Sequence, residues 1–95
     1  MKYFLVLSTL TDEGRKTVLA NPERIRQVNK AIEAKETKIV AQYALLGAYD
    51  FVTIIQAKDN IDVLKAAVEV GSRGTIQTMT IPAIPIDEFI EAIRS

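Results

Sequence analysis

The segment Gly47-Ala48-Tyr49-Asp50 places a phenol and a carboxylate side by side between two apolar runs. Both groups can hydrogen-bond a small polar molecule, and the apolar runs could form walls around it. Tyr43, just before this segment, could add a second phenol. We therefore treat Tyr43, Gly47, Tyr49 and Asp50 as candidate contacts of a small organic ligand. The competing hypothesis is purely structural, because Gly and Asp are common in turns.

The composition excludes most other kinds of chemistry. The 95 residues include no Cys, His or Trp. The chain therefore has no thiolate nucleophile, disulfide, Cys/His zinc site or haem-ligating histidine. No acidic loop has the EF-hand pattern for Ca²⁺. Asp50 beside Tyr49 is the one acid–base pair worth naming, and we assign no catalytic residue, metal or cofactor.

Nucleic-acid binding is a further function class to weigh. Tyr49–Ile54 faintly matches the third-strand signature of RNA recognition motifs, and residues 71–74 match the GxxG loop of KH domains. However, Leu46 and not Lys or Arg stands directly before Gly47, and Asp50 puts a negative charge where phosphate would pass. Lys+Arg and Asp+Glu both number 12, so the formal net charge is zero. Without a basic surplus for phosphate contacts, we expect no nucleic-acid partner.

The elements that must position these residues follow from hydrophobic periodicity and from helix start signals. Thr11, Asn21-Pro22 and Asp59-Asn60 each predict the start of a helix, and Gly71 and Gly74 predict the end of the last of these. The predicted strands are Tyr3–Leu7, Ile39–Leu46, Phe51–Ile55 and Thr75–Ile81, the last stopped by Pro82 and Pro85, and a final helix begins at Ile86. The order β-α-β-β-α-β plus a C-terminal helix predicts an α+β, ferredoxin-like domain over residues 1–95, with a four-stranded antiparallel sheet.

The predicted sheet has apolar residues on both faces. Helices can cover only one face, and in the first three strands the other face is apolar as well. Only the fourth strand, with Gln77, Thr78 and Thr80, is half-polar. The uncovered face amounts to about 500 Å² per chain, near the upper end for a monomer. We expect a homodimer or higher homo-oligomer formed sheet to sheet.

The N-terminal segment indicates no membrane or export function. Lys2 is followed only by the apolar run Tyr3–Leu7. That run is too short for a signal-peptide core or for a spanning helix. We expect a soluble, cytoplasmic protein without a membrane partner.

The chain resembles the GYD domain family around Leu46–Val52. Similarity extends to Thr11-Asp12-x-Gly14, Asn21–Arg24, Tyr43, Thr78-x-Thr80 and Asp87-Glu88-Phe89. The resemblance implies a ferredoxin-like fold that pairs as a dimeric α/β barrel, but it implies no particular activity. Wider relatives of this fold include ligand-binding modules of Lrp/AsnC-type regulators, monooxygenases and isomerases.

Three functions follow from these observations. The leading hypothesis is a non-catalytic homo-oligomeric module that binds a small organic ligand near the 47–50 turn. The first alternative is a dimeric α/β-barrel enzyme, similar to monooxygenases or isomerases, that acts on a small molecule. The second alternative is an RNA-binding domain, which the charge balance disfavours.

Overall fold

The computed structural model describes all 95 residues and contains four strands and four helices. The strands are β1 (Lys2–Leu10), β2 (Thr37–Ala44), β3 (Phe51–Ala57) and β4 (Ile76–Ala83). The helices are α1 (Asp12–Ala20), α2 (Arg24–Glu33), α3 (Asn60–Gly71) and α4 (Ile86–Arg94). The predicted order of elements is therefore confirmed, with the first helical region divided into α1 and α2.

The four strands form one sheet in the order β2-β3-β1-β4, and every neighbouring pair is antiparallel. Leu5 in the middle of β1 lies opposite Ile54 of β3 and Ile81 of β4. The register of β2 against β3 shifts between Ile39 and Ala41. This topology confirms the ferredoxin-like α+β fold.

Local capping explains where two of the helices begin. The Thr11 hydroxyl accepts a hydrogen bond from the Gly14 N–H at 3.1 Å, and the Asp59 carboxylate accepts one from the Asn60 N–H at 2.7 Å. Both caps were predicted from the residue types.

The predicted cap at Asn21 is wrong. The Asn21 side chain accepts a hydrogen bond from the Glu23 N–H at 3.3 Å, while the Asn21 N–H donates to the Thr17 carbonyl. Asn21 therefore ends α1 in an extended conformation, and α2 begins only at Arg24, two residues beyond Pro22.

The prediction that Pro82 stops the fourth strand is wrong. It lies inside β4 and is paired with Phe4 of β1. Proline cannot donate a backbone hydrogen bond, and β4 is an outermost strand with only one neighbour. The strand therefore tolerates Pro82, and Pro85 stands immediately before α4.

The core lies between the sheet and the helix layer formed by α1, α2 and α3. Alternate residues of β1, beginning with Phe4, face these helices, while Leu5 and Leu7 face the other way. The buried apolar residues are Phe4, Ile55, Ala57, Val63, Ala66 and Val70. Among the ten buried residues are also three hydroxyl side chains: Ser8, Thr37 and Thr53.

The opposite face of the sheet is apolar and carries no helix of the same chain. We call it the open sheet face, and its apolar members are Leu5, Leu7, Ala41, Tyr43, Val52, Ile54, Met79 and Ile81. Of the polar residues of the fourth strand, Gln77 lies on the open sheet face, opposite Thr9. Thr78 and Thr80 face the helices, and Met79 and Ile81 face outward with 43% and 40% exposure.

Helix α4 stands apart from the rest of the molecule. It has no buried residue, and its apolar residues Ile86, Phe89, Ile90 and Ile93 are all exposed. The chain measures 51 × 28 × 17 Å, which is elongated for a domain of this length. None of the helices has the length and apolar content that crossing a membrane would require.

Candidate functional site

Asp50 ties the β2–β3 hairpin to the end of β1. Its carboxylate Oδ2 accepts a hydrogen bond from the Leu10 N–H at 2.7 Å. Its own N–H donates to the Ser8 carbonyl at 2.8 Å, and its carbonyl accepts from the Leu45 N–H at 2.8 Å. Asp50 thus joins the backbone of the hairpin to the end of β1, forty residues away in sequence.

We expect Asp50→Ala to lower the free energy of unfolding by about 2 kcal/mol, because a charged acceptor of a half-buried N–H is lost. Asp50→Asn keeps an acceptor oxygen without the charge, so about half of that loss is expected. Urea unfolding followed by circular dichroism measures both changes. An Ala variant with the wild-type midpoint would show that this hydrogen bond contributes nothing to stability.

The other three predicted ligand contacts lie on the same hairpin but differ in their surroundings. Gly47 is exposed with a φ of 154°, and no atom lies within 4 Å of the position that a Cβ would take. Tyr43 is opposite Val52 on the open sheet face and is 61% exposed. Tyr49 is half-buried. The hairpin therefore brings the four positions to one end of the sheet, with one Asp50 oxygen already bonded to backbone.

A second candidate site lies between the helix layer and the sheet, and the sequence did not predict it. It is a cavity of about 90 Å³ lined by residues of all four strands and of α1, α2 and α3. Its floor carries four hydroxyl side chains, contributed by Ser8, Thr53, Thr78 and Thr80. Ser8 and Thr78 are direct cross-strand partners, and Val6 lies between Thr53 and Thr80.

Two amide side chains form one wall of this cavity. The Asn29 Nδ2 donates to Gln42 Oε1 at 2.7 Å, and Gln42 Nε2 donates to Asn29 Oδ1 at 3.1 Å. Gln42 Nε2 also donates to the Thr53 hydroxyl at 3.0 Å. Because Gln42 is opposite Thr53 in the sheet, this network connects α2 to β2 and β3 and holds the polar groups in place.

The residues that line the cavity carry positive charge only. Arg24, at the start of α2, is the one charged residue among the residues that line it. Its Nη1 donates to Gln27 Oε1 at 2.8 Å, which leaves the other guanidinium N–H groups free to donate elsewhere. A cavity lined by an arginine and by hydroxyl side chains suits a small anion with hydrogen-bond acceptors.

One signal in the sequence could have indicated this site. Ser8, Thr53, Thr78 and Thr80 interrupt strands that are otherwise apolar, and they do so at positions that face the helices. Elsewhere in the chain, no group of three or more Asp or Glu side chains is arranged to hold a metal ion.

A family model and a related protein both match nearly the whole chain. The sequence model of the GYD domain matches residues 4–93. A protein of Thermus thermophilus is 46% identical over 95 residues, covering 99% of this chain and 100% of its own. That protein is named glutamine synthetase and cystathionine beta-lyase binding protein.

Solved structures share the fold at low sequence identity. The crystal structure of MtbAldR has a TM-score of 0.67 at 19% identity, over 88% of this chain and 52% of that protein. The match therefore spans only about half of MtbAldR. The crystal structure of TTHA0845 from Thermus thermophilus has a TM-score of 0.58 at 21% identity, over 90% of this chain and 95% of that one.

Proposed function

The chain belongs to the GYD domain family, and on that premise we propose that it is a non-catalytic module that binds other proteins. The observation that carries this proposal is the 46% identity, over the full length, to a protein named for binding glutamine synthetase and cystathionine beta-lyase. We propose that this chain binds the corresponding enzymes of its own organism. Family membership also confirms the resemblance found in the sequence.

Helix α4 is the surface that we assign to the enzyme partner. It presents Phe89 and Ile90 to solvent with 51% and 41% exposure. Asp87 and Glu88 begin the helix, and Glu91 is paired with Arg94 at 3.1 Å. An amphipathic helix of this kind binds by laying its apolar side into a groove on the partner. The acidic residues of α4 favour a groove with a basic rim.

The open sheet face supports the proposal of a homodimer. Two copies that cover it would bury about 1,000 Å² in total, the lower bound for a specific interface. The face runs across all four strands, so its apolar side chains form a continuous surface.

Binding of the purified chain to the two enzymes tests the function. We expect biolayer interferometry to give a Kd in the micromolar range or tighter for at least one of them. Phe89→Ser should weaken binding at least about tenfold, since exposed aromatic anchors dominate interfaces. Phe89 is half-exposed, so the substitution leaves the fold intact.

Leu19→Ser is the matched control, because Leu19 is a large apolar residue of α1 with 87% exposure. It should bind as the wild type does. If neither enzyme binds the wild-type chain, the proposed function is wrong. If both variants lose affinity equally, α4 is not the binding surface.

The small-ligand role predicted for Tyr43, Gly47, Tyr49 and Asp50 stays a prediction. The exposed phenol of Tyr43 and the unbonded Oδ1 of Asp50 support it. The backbone contacts of Asp50 support the structural alternative for that residue.

A further inference from the structure

We propose that the cavity between the helix layer and the sheet binds a small organic carboxylate with a short apolar chain and no amino group. This site is distinct from the hairpin positions and does not depend on the protein partner proposed above. Three properties of the cavity lead to the proposal: its hydroxyl groups, the positive charge of its lining and its size.

The hydroxyl floor contains side chains that can donate hydrogen bonds to a ligand. Ser8 is only 5% exposed and lines the cavity. Its backbone carbonyl accepts from the Asp50 N–H, and its hydroxyl takes part in none of the side-chain hydrogen bonds around the cavity. The Thr53 hydroxyl already accepts from Gln42, so its own proton remains available to donate. A ligand oxygen inside the cavity can accept a hydrogen bond from either hydroxyl.

The charge of the lining selects the kind of ligand. Arg24 is among the lining residues, and no Asp or Glu is. Arginine binds carboxylates through two parallel hydrogen bonds, which makes a carboxylate the best match. An ammonium group would be repelled by Arg24 and would find no carboxylate partner. The site therefore discriminates against amino acids in favour of the corresponding acids without an amino group.

The size of the cavity limits the apolar part of the ligand. Its volume is about 90 Å³, compared with ~150 Å³ for a cavity that holds the six carbons of benzene. About four heavy atoms therefore fit inside, with the carboxylate reaching Arg24. The walls above the hydroxyl floor are aliphatic, formed by Val28 and Ile32 of α2 and by Val63 and Val70 of α3. A branched chain of four carbons suits this space.

Calorimetric titration with four related probes tests the proposal without any partner protein. The probes are 3-methyl-2-oxobutyrate, isovalerate, valine and isovaleramide. We expect 3-methyl-2-oxobutyrate to bind most tightly, with a Kd below about 1 mM, because its oxo group can accept from Ser8. Isovalerate should bind more weakly. Valine and isovaleramide should bind at least about tenfold more weakly than the oxo acid, since one adds an ammonium and the other lacks the negative charge.

Variants of the chain identify the groups responsible. Arg24→Gln should weaken binding of both acids at least about tenfold, and Ser8→Ala should reduce the preference for the oxo acid over isovalerate. Arg26→Gln is the matched control, because Arg26 lies on the same helix, pairs with Glu23 at 2.8 Å and does not line the cavity. Circular dichroism confirms that each variant is folded.

Several results would overturn the proposal. One is the absence of heat or thermal stabilisation with either acid up to about 10 mM, a concentration that nearly saturates a site with a Kd of about 1 mM. Another is equal affinity for isovalerate and isovaleramide, which differ in the negative charge. A third is equal loss of affinity in Arg24→Gln and Arg26→Gln, which would indicate a general effect of surface charge. None of these results bears on enzyme binding through α4, so the two proposals fail independently.

Discussion

Gly14→Ala is expected to destabilise the protein by at least about 3 kcal/mol, because the added methyl group has no space. A Cβ at this position would lie 1.9 Å from the Thr75 carbonyl oxygen and 2.9 Å from its carbonyl carbon. Both are backbone atoms, which cannot rotate away as a side chain can. For a domain of this size the midpoint of thermal unfolding should fall by about 12–24 °C.

The strain at Gly14 cannot relax, because the start of α1 is bonded to the same segment. The Thr11 N–H donates to the Thr75 carbonyl at 3.1 Å, and the Thr11 hydroxyl donates to the Gly74 carbonyl at 2.8 Å. Moving α1 away to accommodate a methyl group would break both hydrogen bonds. The higher helix propensity of Ala, worth about 1 kcal/mol, does not offset this cost.

Gly71→Ala is the control for this prediction. Gly71 ends α3, and a Cβ there would meet no atom within 4 Å. The substitution should leave stability unchanged or raise it by up to about 1 kcal/mol. Scanning calorimetry compares the two variants directly. A Gly14→Ala variant that unfolds at the wild-type temperature would contradict the close approach of α1 to Thr75.

Ile54→Asp is expected to convert a homodimer into a monomer. Ile54 lies on a central strand of the open sheet face, opposite Leu5. In a symmetric pair of sheets the substitution would bury two carboxylates without partners, each at a cost of about 3–5 kcal/mol. The dissociation constant should therefore rise at least about a thousandfold. Sedimentation equilibrium at micromolar concentration measures the mass of both proteins.

Two further variants make the result interpretable. Met79→Asp acts on the same face at a side chain that is 43% exposed, so it tests the interface with less risk to the core. Val68→Asp places the same charge on the outer side of α3, where Val68 is 65% exposed, and should leave the dimer intact. A wild-type chain that sediments as a monomer would remove the homodimer proposal altogether.

The elements of this fold were predictable where the determining interactions are local. The starts of α1 and α3 follow from Thr11 and Asp59, whose side chains bond backbone within three residues. The start of α2 was predicted wrongly because the Asn21 side chain caps a turn instead of a helix. The order of strands followed from the alternation of apolar runs and helical stripes.

The candidate site was less predictable, because pairing between distant strands forms it. The hydroxyl floor exists because β3 and β4 pair with β1 in registers that place Thr53, Thr78 and Thr80 on the helix side together with Ser8. A shift of one residue in β4 would move both of its threonines to the open sheet face. The hydrogen bond from Leu10 to Asp50 spans forty residues and likewise leaves no local signal.

The two outermost strands of the sheet have a consequence for aggregation. Exposed strand edges are templates on which further chains can add and build fibres. Here β4 contains Pro82, which offers no N–H, and β2 is distorted between Ile39 and Ala41. Both irregularities oppose edge-to-edge growth. The proposed pairing through the open sheet face would by contrast end at two copies, because it uses a surface that each chain has only once.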